Sequence, residues 1–122
     1  MKRFVVLGGT GGMGSVVVKD LFSTCKDCEI IIAATNDKKA KDYAKSFKSK
    51  IVKGIGVDVN DINKTAKTLK GADVCINCVV YYLNLNVMKA CLKAKVHYLD
   101  LGGLFHVTKK QLKLDKQFKR NK

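Results

Sequence analysis

The stretch VVLGGTGGMG, residues 5–14, decides the fold. It completes a short apolar run, RFVVL (3–7), which reads as a buried strand. The run breaks directly into glycine, and from residue 11 apolar positions recur at helical spacing: Met13, Val16, Val17, Leu21 and Phe22. Gly9-Thr10-Gly11-Gly12-Met13-Gly14 fits G-x-G-x-x-G, and its place between a strand and a helix is what gives that pattern meaning. Gly9 is expected to permit the tight turn, Gly11 to let a pyrophosphate approach the backbone, and Gly14 to let helix and strand pack closely. Free amide hydrogens at the helix start would then meet the phosphate charge. The expected ligand is a dinucleotide.

Outward from this loop, strands and helices alternate with short connections. Strands are expected at 29–34, 51–59, 73–80 and 96–101, although Gly54 and Gly56 interrupt the third. The fourth, DVCINCVV, is apolar almost throughout, as in a parallel sheet covered on both faces. A helix over 38–47 turns Ala40, Ala44 and Phe47 inward. A second runs from a cap at Asn60 or Asp61 to Leu69, stopped by Gly71, and a third from a cap at Asn84 or Asn86 to about Ala94. For the last helix, Thr108 and Gln111 match a capping box, with Val107 and Leu112 placed as its staple, and KRNK suits its C-terminus. This alternation predicts one α/β domain over 1–122: a Rossmann-type doubly wound parallel sheet, strand order 3-2-1-4-5. The ligand would lie at the switch between strands one and four.

The second strand tells which nucleotide to expect. In IIIAATND (30–37), Ala34 stands twenty residues after Gly14, about where a ribose-binding acid is expected. With no carboxylate there, nothing repels a 2′-phosphate. Thr35 and Asn36 can donate hydrogen bonds to it, and Lys38 and Lys39 supply positive charge nearby. Asp37 is read as a cap of the next helix. NADP is therefore expected in preference to NAD. Asp58 could accept from the adenine amino group while Val59 packs on the ring, or Asp58 could be an ordinary strand-end acid. Cys78 and Val79, with Val80, would flank the nicotinamide ribose.

Composition narrows the rest. The chain has 122 residues and a net charge of +14, nearly all from lysine, the arginines being Arg3 and Arg120. A field of this sign attracts phosphates, and a nucleic-acid-binding basic protein is an alternative reading. The scattered lysines, with few aromatics and little arginine among them, argue against it. Five cysteines form two C-x-x-C pairs, Cys25/Cys28 and Cys75/Cys78, plus Cys91. The gap between the pairs exceeds that of a zinc ribbon, and in a strand positions i and i+3 face opposite ways, so no metal is expected. Apolar runs are too short to span a membrane, and MKRFVVLGG breaks off too early for a signal peptide. A cytoplasmic location with reduced thiols follows.

The spacing Gly8, Gly11, Gly14 also satisfies G-x-x-G-x-x-G, which resembles extended and atypical short-chain reductases and NADP-dependent deazaflavin reductases. The second half is more specific. NCVVYYLNLNVMKACLKAKVHYLDLGGLFHVTKKQLKLDKQF (77–118) resembles the cofactor domain of the saccharopine dehydrogenase family, lysine 6-dehydrogenase-like members included. The pieces that carry this are N-C-V, N-L-N-V-M-K-A-C-L, H-Y-L-D-L-G-G-L and L-x-L-D. The resemblance implies hydride transfer at a C–N bond, an amine being oxidised to an imine or the reverse. It also implies a second α/β domain that closes over an amino-acid substrate. A tyrosine after strand four and an aspartate on the helix after strand five, proposed there to aid substrate binding or proton transfer, match Tyr82 and Asp115. The chain departs from the family at Val80-Tyr81, where Gly-Pro is common, at Lys95, where Gly usually follows the helix, and at Ala34-Thr35, where Asp-Arg is common. Val80 and Tyr81 would crowd the loop that admits the nicotinamide.

The function expected is thus that of a dinucleotide-binding domain of a saccharopine dehydrogenase-like NAD(P)-dependent oxidoreductase. It would hold cofactor but need a second domain or partner chain to position and desolvate substrate. A homodimer is compatible with this. The alternative is a non-catalytic NADP(H)-sensing or protein-interaction module. A small reductase acting alone would need a Tyr-x-x-x-Lys that neither Tyr43 nor Tyr82 provides. His97 reads as a strand-end packing residue, and His106 would reach the site only if its loop folded back.

Overall fold

In the computed structural model, which describes residues 1–102 and 105–121, the chain alternates strand and helix from its start. The elements are β1 (Lys2–Leu7), α1 (Gly12–Thr24), β2 (Cys28–Ala34), α2 (Asp37–Ser46), β3 (Val52–Gly56), α3 (Ile62–Leu69), β4 (Val74–Asn77), α4 (Asn84–Ala94), β5 (His97–Asp100), α5 (Phe105–Leu112) and α6 (Asp115–Asn121). All strand pairs are parallel, in the order β3-β2-β1-β4-β5 that the alternation predicts. Gly103 and Leu104 of the H-Y-L-D-L-G-G-L stretch, and the terminal Lys122, lie outside the described residues.

Because side chains alternate across a strand, β1 feeds two cores. Val5 and Leu7 pack with Leu69 of α3 and Val87, Ala90 and Cys91 of α4. Val6 packs with Ile30 and Ile32 of β2, Val18 of α1, and Ala40 and Ala44 of α2. Leu7, Ile30, Ile32, Leu69 and Val87 are completely buried, each stabilising the fold by ~1.5–3 kcal/mol relative to exposure. At the N-terminal end of the sheet Glu29 binds Arg3 at 2.9 Å and Lys53 at 3.7 Å, joining the three strands.

Several local expectations need correction. The inward face of α1 is Gly14, Val17, Val18, Leu21 and Phe22, whereas Met13 and Val16 are exposed. β3 ends at Gly56 rather than 59. Its glycines belong to it because α2 lies on them: a Cβ on Gly54 would run into the Ala40 carbonyl oxygen. Asn36, not Asp37, caps α2, accepting from the Lys39 N–H at 3.1 Å. Asp37 instead accepts from the Gly56 N–H at 2.8 Å and pairs with Lys41 at 2.9 Å. Asp61 does cap α3, accepting from the Lys64 N–H at 3.0 Å, and Gly71 follows with a left-handed φ of 85°.

Two corrections share one cause. Neither Asn84 nor Asn86 caps α4 with its side chain, since a 3-10 turn (Tyr81–Leu83) leads straight into it. Likewise Thr108 and Gln111 lie inside α5, and the last segment is two helices, not one beginning at Thr108. Asn84 and Gln111 are drawn into a polar network with each other, so they do not bond to helix ends.

Replacing Gly54 by Ala is expected to cost ~1–3 kcal/mol, because strand and helix backbones must move apart; chemical denaturation reads this as a lower midpoint. Lys95, which ends α4 at φ 59°, ψ 51°, predicts the reverse. Lys95→Gly should stabilise by up to about 1 kcal/mol, relief of the left-handed penalty being partly offset by glycine's chain entropy.

Candidate dinucleotide site

The turn after β1 is built by glycine, but its left-handed residue is Gly8 (φ 73°), one place earlier than the Gly9 expected. The Gly11 N–H closes the loop on the Gly8 carbonyl at 3.0 Å. A Cβ on Gly14 would strike that same carbonyl, so the helix start can sit on the loop only with glycine there. The spacing Gly8-Gly11-Gly14 thus describes the loop's mechanics better than G-x-G-x-x-G.

This packing leaves α1 with a usable N-terminus. Its first backbone hydrogen bond is from Ser15 to Gly11, at 2.9 Å, so the amides of Gly12, Met13 and Gly14 have no acceptor within the helix. Gly11, at the cap position, has no side chain to offer, and the first turn holds no acidic residue. Side chains do cap α2 and α3. An uncapped helix start with converging N–H groups and positive dipole end is suited to a phosphate. Nothing lies within 4 Å of the position a Gly12 Cβ would take, so a side chain there would meet open space.

In front of this loop lies a cleft of about 430 Å³ at the C-terminal ends of the strands. Its floor is Leu7, Gly8, Thr10 and Gly11. One flank is Ala33, Ala34, Thr35, Asn36 and Lys39, continuing to Val57, Asp58, Val59 and Asn60; the other is Cys78, Val79, Val80 and Leu83. The cleft thus gathers Thr10, Gly11, Thr35, Asn36, Asp58, Val59, Cys78 and Val79 of the expected residues. Gly9, Gly12, Met13 and Gly14 belong to the same loop and helix start but do not line the cleft. Of the lysines placed near the second strand, Lys39 lines the cleft and Lys38 does not. Asn60 and Leu83 were not anticipated. Asn60 is there because both its backbone and side-chain N–H groups bond Asp58 Oδ1, at 2.9 and 3.0 Å.

Asp37, three residues past the end of β2, does not line the cleft. Asp37 is held below the ordinary carboxylate range by its bonds to Lys41 and to the Gly56 N–H. Arg3 is committed to Glu29 at the opposite end of β1, so neither its charge nor that of Glu29 belongs to the cleft. At the other flank, burial pushes the Cys78 thiol upward, so it is a neutral wall. The two members of the second cysteine pair face opposite cores, Cys75 towards α3 and α4 and Cys78 towards α1 and α2.

Tyr82 and Asp115 are not brought together at this cleft. Tyr82 is 66% exposed in the turn before α4, its ring 5.8 Å from that of Tyr81 in an edge contact. Asp115 begins α6, pairs with Lys119 at 3.1 Å, and lines a separate cleft of about 610 Å³ along β5 with His97, Asp100 and Gln111. His97 is exposed. Among the described residues no group of His, Cys, Asp and Glu could hold a metal ion, and no helix is long and apolar enough to cross a membrane.

Parallel sheet order, glycine-built turn, uncapped helix start and strand-end cleft together define a Rossmann-type dinucleotide-binding domain. Residues 4–122 match the family described as the saccharopine dehydrogenase NADP binding domain, and the chain belongs to that family. It is similar to carboxyaminopropylagmatine dehydrogenase from Synechocystis sp., at 36% identity over 101 residues, which are 81% of this chain and 25% of that protein. Among solved structures it is similar in fold to saccharopine dehydrogenase (L-Glu forming) from Saccharomyces cerevisiae. The TM-score is 0.77 at 24% identity, covering 90% of this chain and 24% of that one. Triphenylmethane reductase from Citrobacter sp., complexed with NADP(H), also shares the fold, with a TM-score of 0.74 at 21% identity over 97% of this chain and 45% of that one. The chain spans about a quarter of the length of the first two proteins.

Gly14→Ala is expected to lower both thermal stability and dinucleotide affinity, the latter at least tenfold, since the added methyl forces α1 off the loop. Gly12→Ala, with open space around its Cβ, should leave the melting temperature unchanged. Calorimetric unfolding and equilibrium titration of both variants check the contrast.

Proposed function

We propose that this domain binds NADP(H) in preference to NAD(H), as the cofactor-holding part of an oxidoreductase acting on a C–N bond of an amino-acid substrate. The observation that carries the preference is the end of β2. Ala34 stands where a ribose-binding acid would, and exposed Thr35, Asn36 and Lys39 line the same cleft as the glycine loop. Asn36 Oδ1 caps α2, which turns its amide nitrogen into the available donor. Lys39, held in the first turn of that helix, supplies the charge.

Under this reading each part of the chain has a place along the cofactor. Asp58 and Val59 meet the adenine, and Thr35, Asn36 and Lys39 the 2′-phosphate. The loop Gly9–Gly14 holds the pyrophosphate, and Cys78 and Val79 flank the nicotinamide ribose. Bound NADP(H) supplies the hydride acceptor or donor. An amine losing a hydride from carbon and a proton from nitrogen becomes an imine, and the reverse step restores both. Tyr82 and Asp115 are assigned to substrate binding or proton transfer by resemblance, in company with a second domain or partner chain that closes over the substrate. The relative at 36% identity, a dehydrogenase by name, supports an oxidoreductase. A cytoplasmic setting with reduced thiols belongs to the same proposal.

Fluorescence titration with NADPH and NADH tests the preference. NADPH should bind at least tenfold tighter, or about 1.4 kcal/mol, and Thr35→Asp should erase that margin by setting a carboxylate against the phosphate. Equal affinities would show that Thr35, Asn36 and Lys39 do not reach a 2′-phosphate. No binding of either nucleotide would favour a sensing or interaction module instead.

A further inference from the structure

Beside the cleft, five polar side chains close a ring of hydrogen bonds linking β4, α4, β5 and α5. The Tyr98 hydroxyl donates to Asp100 Oδ2 at 2.8 Å, and Gln111 Nε2 donates to the same oxygen at 2.7 Å. Asn77 Nδ2 donates to the Tyr98 oxygen at 3.1 Å and to Asn84 Oδ1 at 2.9 Å. Asn84 Nδ2 donates to Gln111 Oε1 at 3.4 Å, which completes the circuit. Asn77 and Asn84 are 1% exposed, so an unmet partner there would carry the full desolvation cost.

The ring has a direction, and Asp100 sets it. An ionised carboxylate only accepts, so Tyr98 and Gln111 must both donate to it. The Tyr98 oxygen is then left to accept from Asn77, and Gln111 Oε1 from Asn84. Asn84 Oδ1 in turn takes the other Asn77 hydrogen. Both hydrogens of the Asn77 amide are thereby used, and its Oδ1 points out of the ring as an acceptor. That oxygen takes the Val79 N–H at 3.1 Å. Val79 sits in the Cys78–Val80 segment that forms one flank of the cleft. Burial acts to raise the Asp100 pKa, but the bonds from Tyr98, Gln111 and the Gly102 N–H outweigh it and keep the group below its ordinary value, hence ionised.

We infer that Asp100 is a positioning residue for the cofactor: through Tyr98, Gln111, Asn84 and Asn77 it fixes the Val79 amide and so shapes the flank that receives the nicotinamide half of NADP(H). This rests on the cofactor reading above. With the adenosine end at β2 and the pyrophosphate at the glycine loop, the remaining half of the ligand passes over the end of β4. Asp100→Leu keeps about the same bulk but offers no acceptor, so the Tyr98 and Gln111 donors lose their shared partner and the ring opens.

The test compares the wild-type chain with Asp100→Leu, and with Gln111→Ala, which opens the ring from the half-buried side without touching the sheet. NADPH and adenosine 2′,5′-bisphosphate, which lacks the nicotinamide half, are titrated against each, and hydrogen exchange of the Val79 amide is followed without ligand. The expected result is a tenfold or greater loss for NADPH, less than twofold for the bisphosphate, and faster exchange at Val79. Equal losses for both ligands, unchanged NADPH affinity, or unchanged Val79 exchange would overturn the inference while leaving the cofactor reading standing. A wild-type chain that binds neither ligand would overturn the cofactor reading and the inference with it.

Discussion

The structure depends on one close approach, the start of α1 against the carbonyl of Gly8. A glycine at 14 admits it and the left-handed turn at Gly8 aims the carbonyl. The Gly11 amide then locks the loop. Once α1 is seated there, its free amides face the space beyond the ends of the strands, and β1 must run beneath them as the central strand of a parallel sheet. The two cores on either side of β1 then fix where α2, α3 and α4 lie, and each delivers a loop to the same end of the sheet.

That common end is where the chemistry collects, and charge is sorted to suit it. Glu29 and Arg3 neutralise each other at the far end of the sheet, while Asp37 is absorbed by Lys41 and the β3 backbone. What the cleft keeps is the α1 dipole, the donors Thr35 and Asn36, and Lys39, with Asp58 the one carboxylate lining it among the described residues. A fixed arrangement of this kind needs little reorganisation to accept a phosphorylated ligand.

Much of this was legible in the sequence because its signals are local. Strand–helix alternation gave the sheet order, and glycine spacing gave the loop. The missing acid at Ala34 is what the proposed preference for a 2′-phosphate rests on. Expectations failed where a residue's partner lies far along the chain. Asn84 and Thr108/Gln111 look like helix caps by local spacing, yet Asn77 and Asp100 draw Asn84 and Gln111 into a network that no short window reveals. Gly54 and Gly56 read as strand breakers until α2 is laid across them. Met13 and Val16 fit a helical stripe but fall on the exposed side, because Gly14 and Val18 form the contact face. Tyr82 and Asp115 rest on resemblance, and neither lines the dinucleotide cleft.

The most direct test of a dinucleotide seated on this loop is residue-resolved amide NMR during titration with NADPH. The account predicts the largest shifts at Gly8–Ser15, with further shifts at Thr35–Lys39, Asp58–Asn60 and Cys78–Val80, while the lysines flanking β3 stay still. Shifts confined to those lysines, or spread evenly over the basic surface, would contradict it and mark the nucleotide as a counterion rather than a ligand.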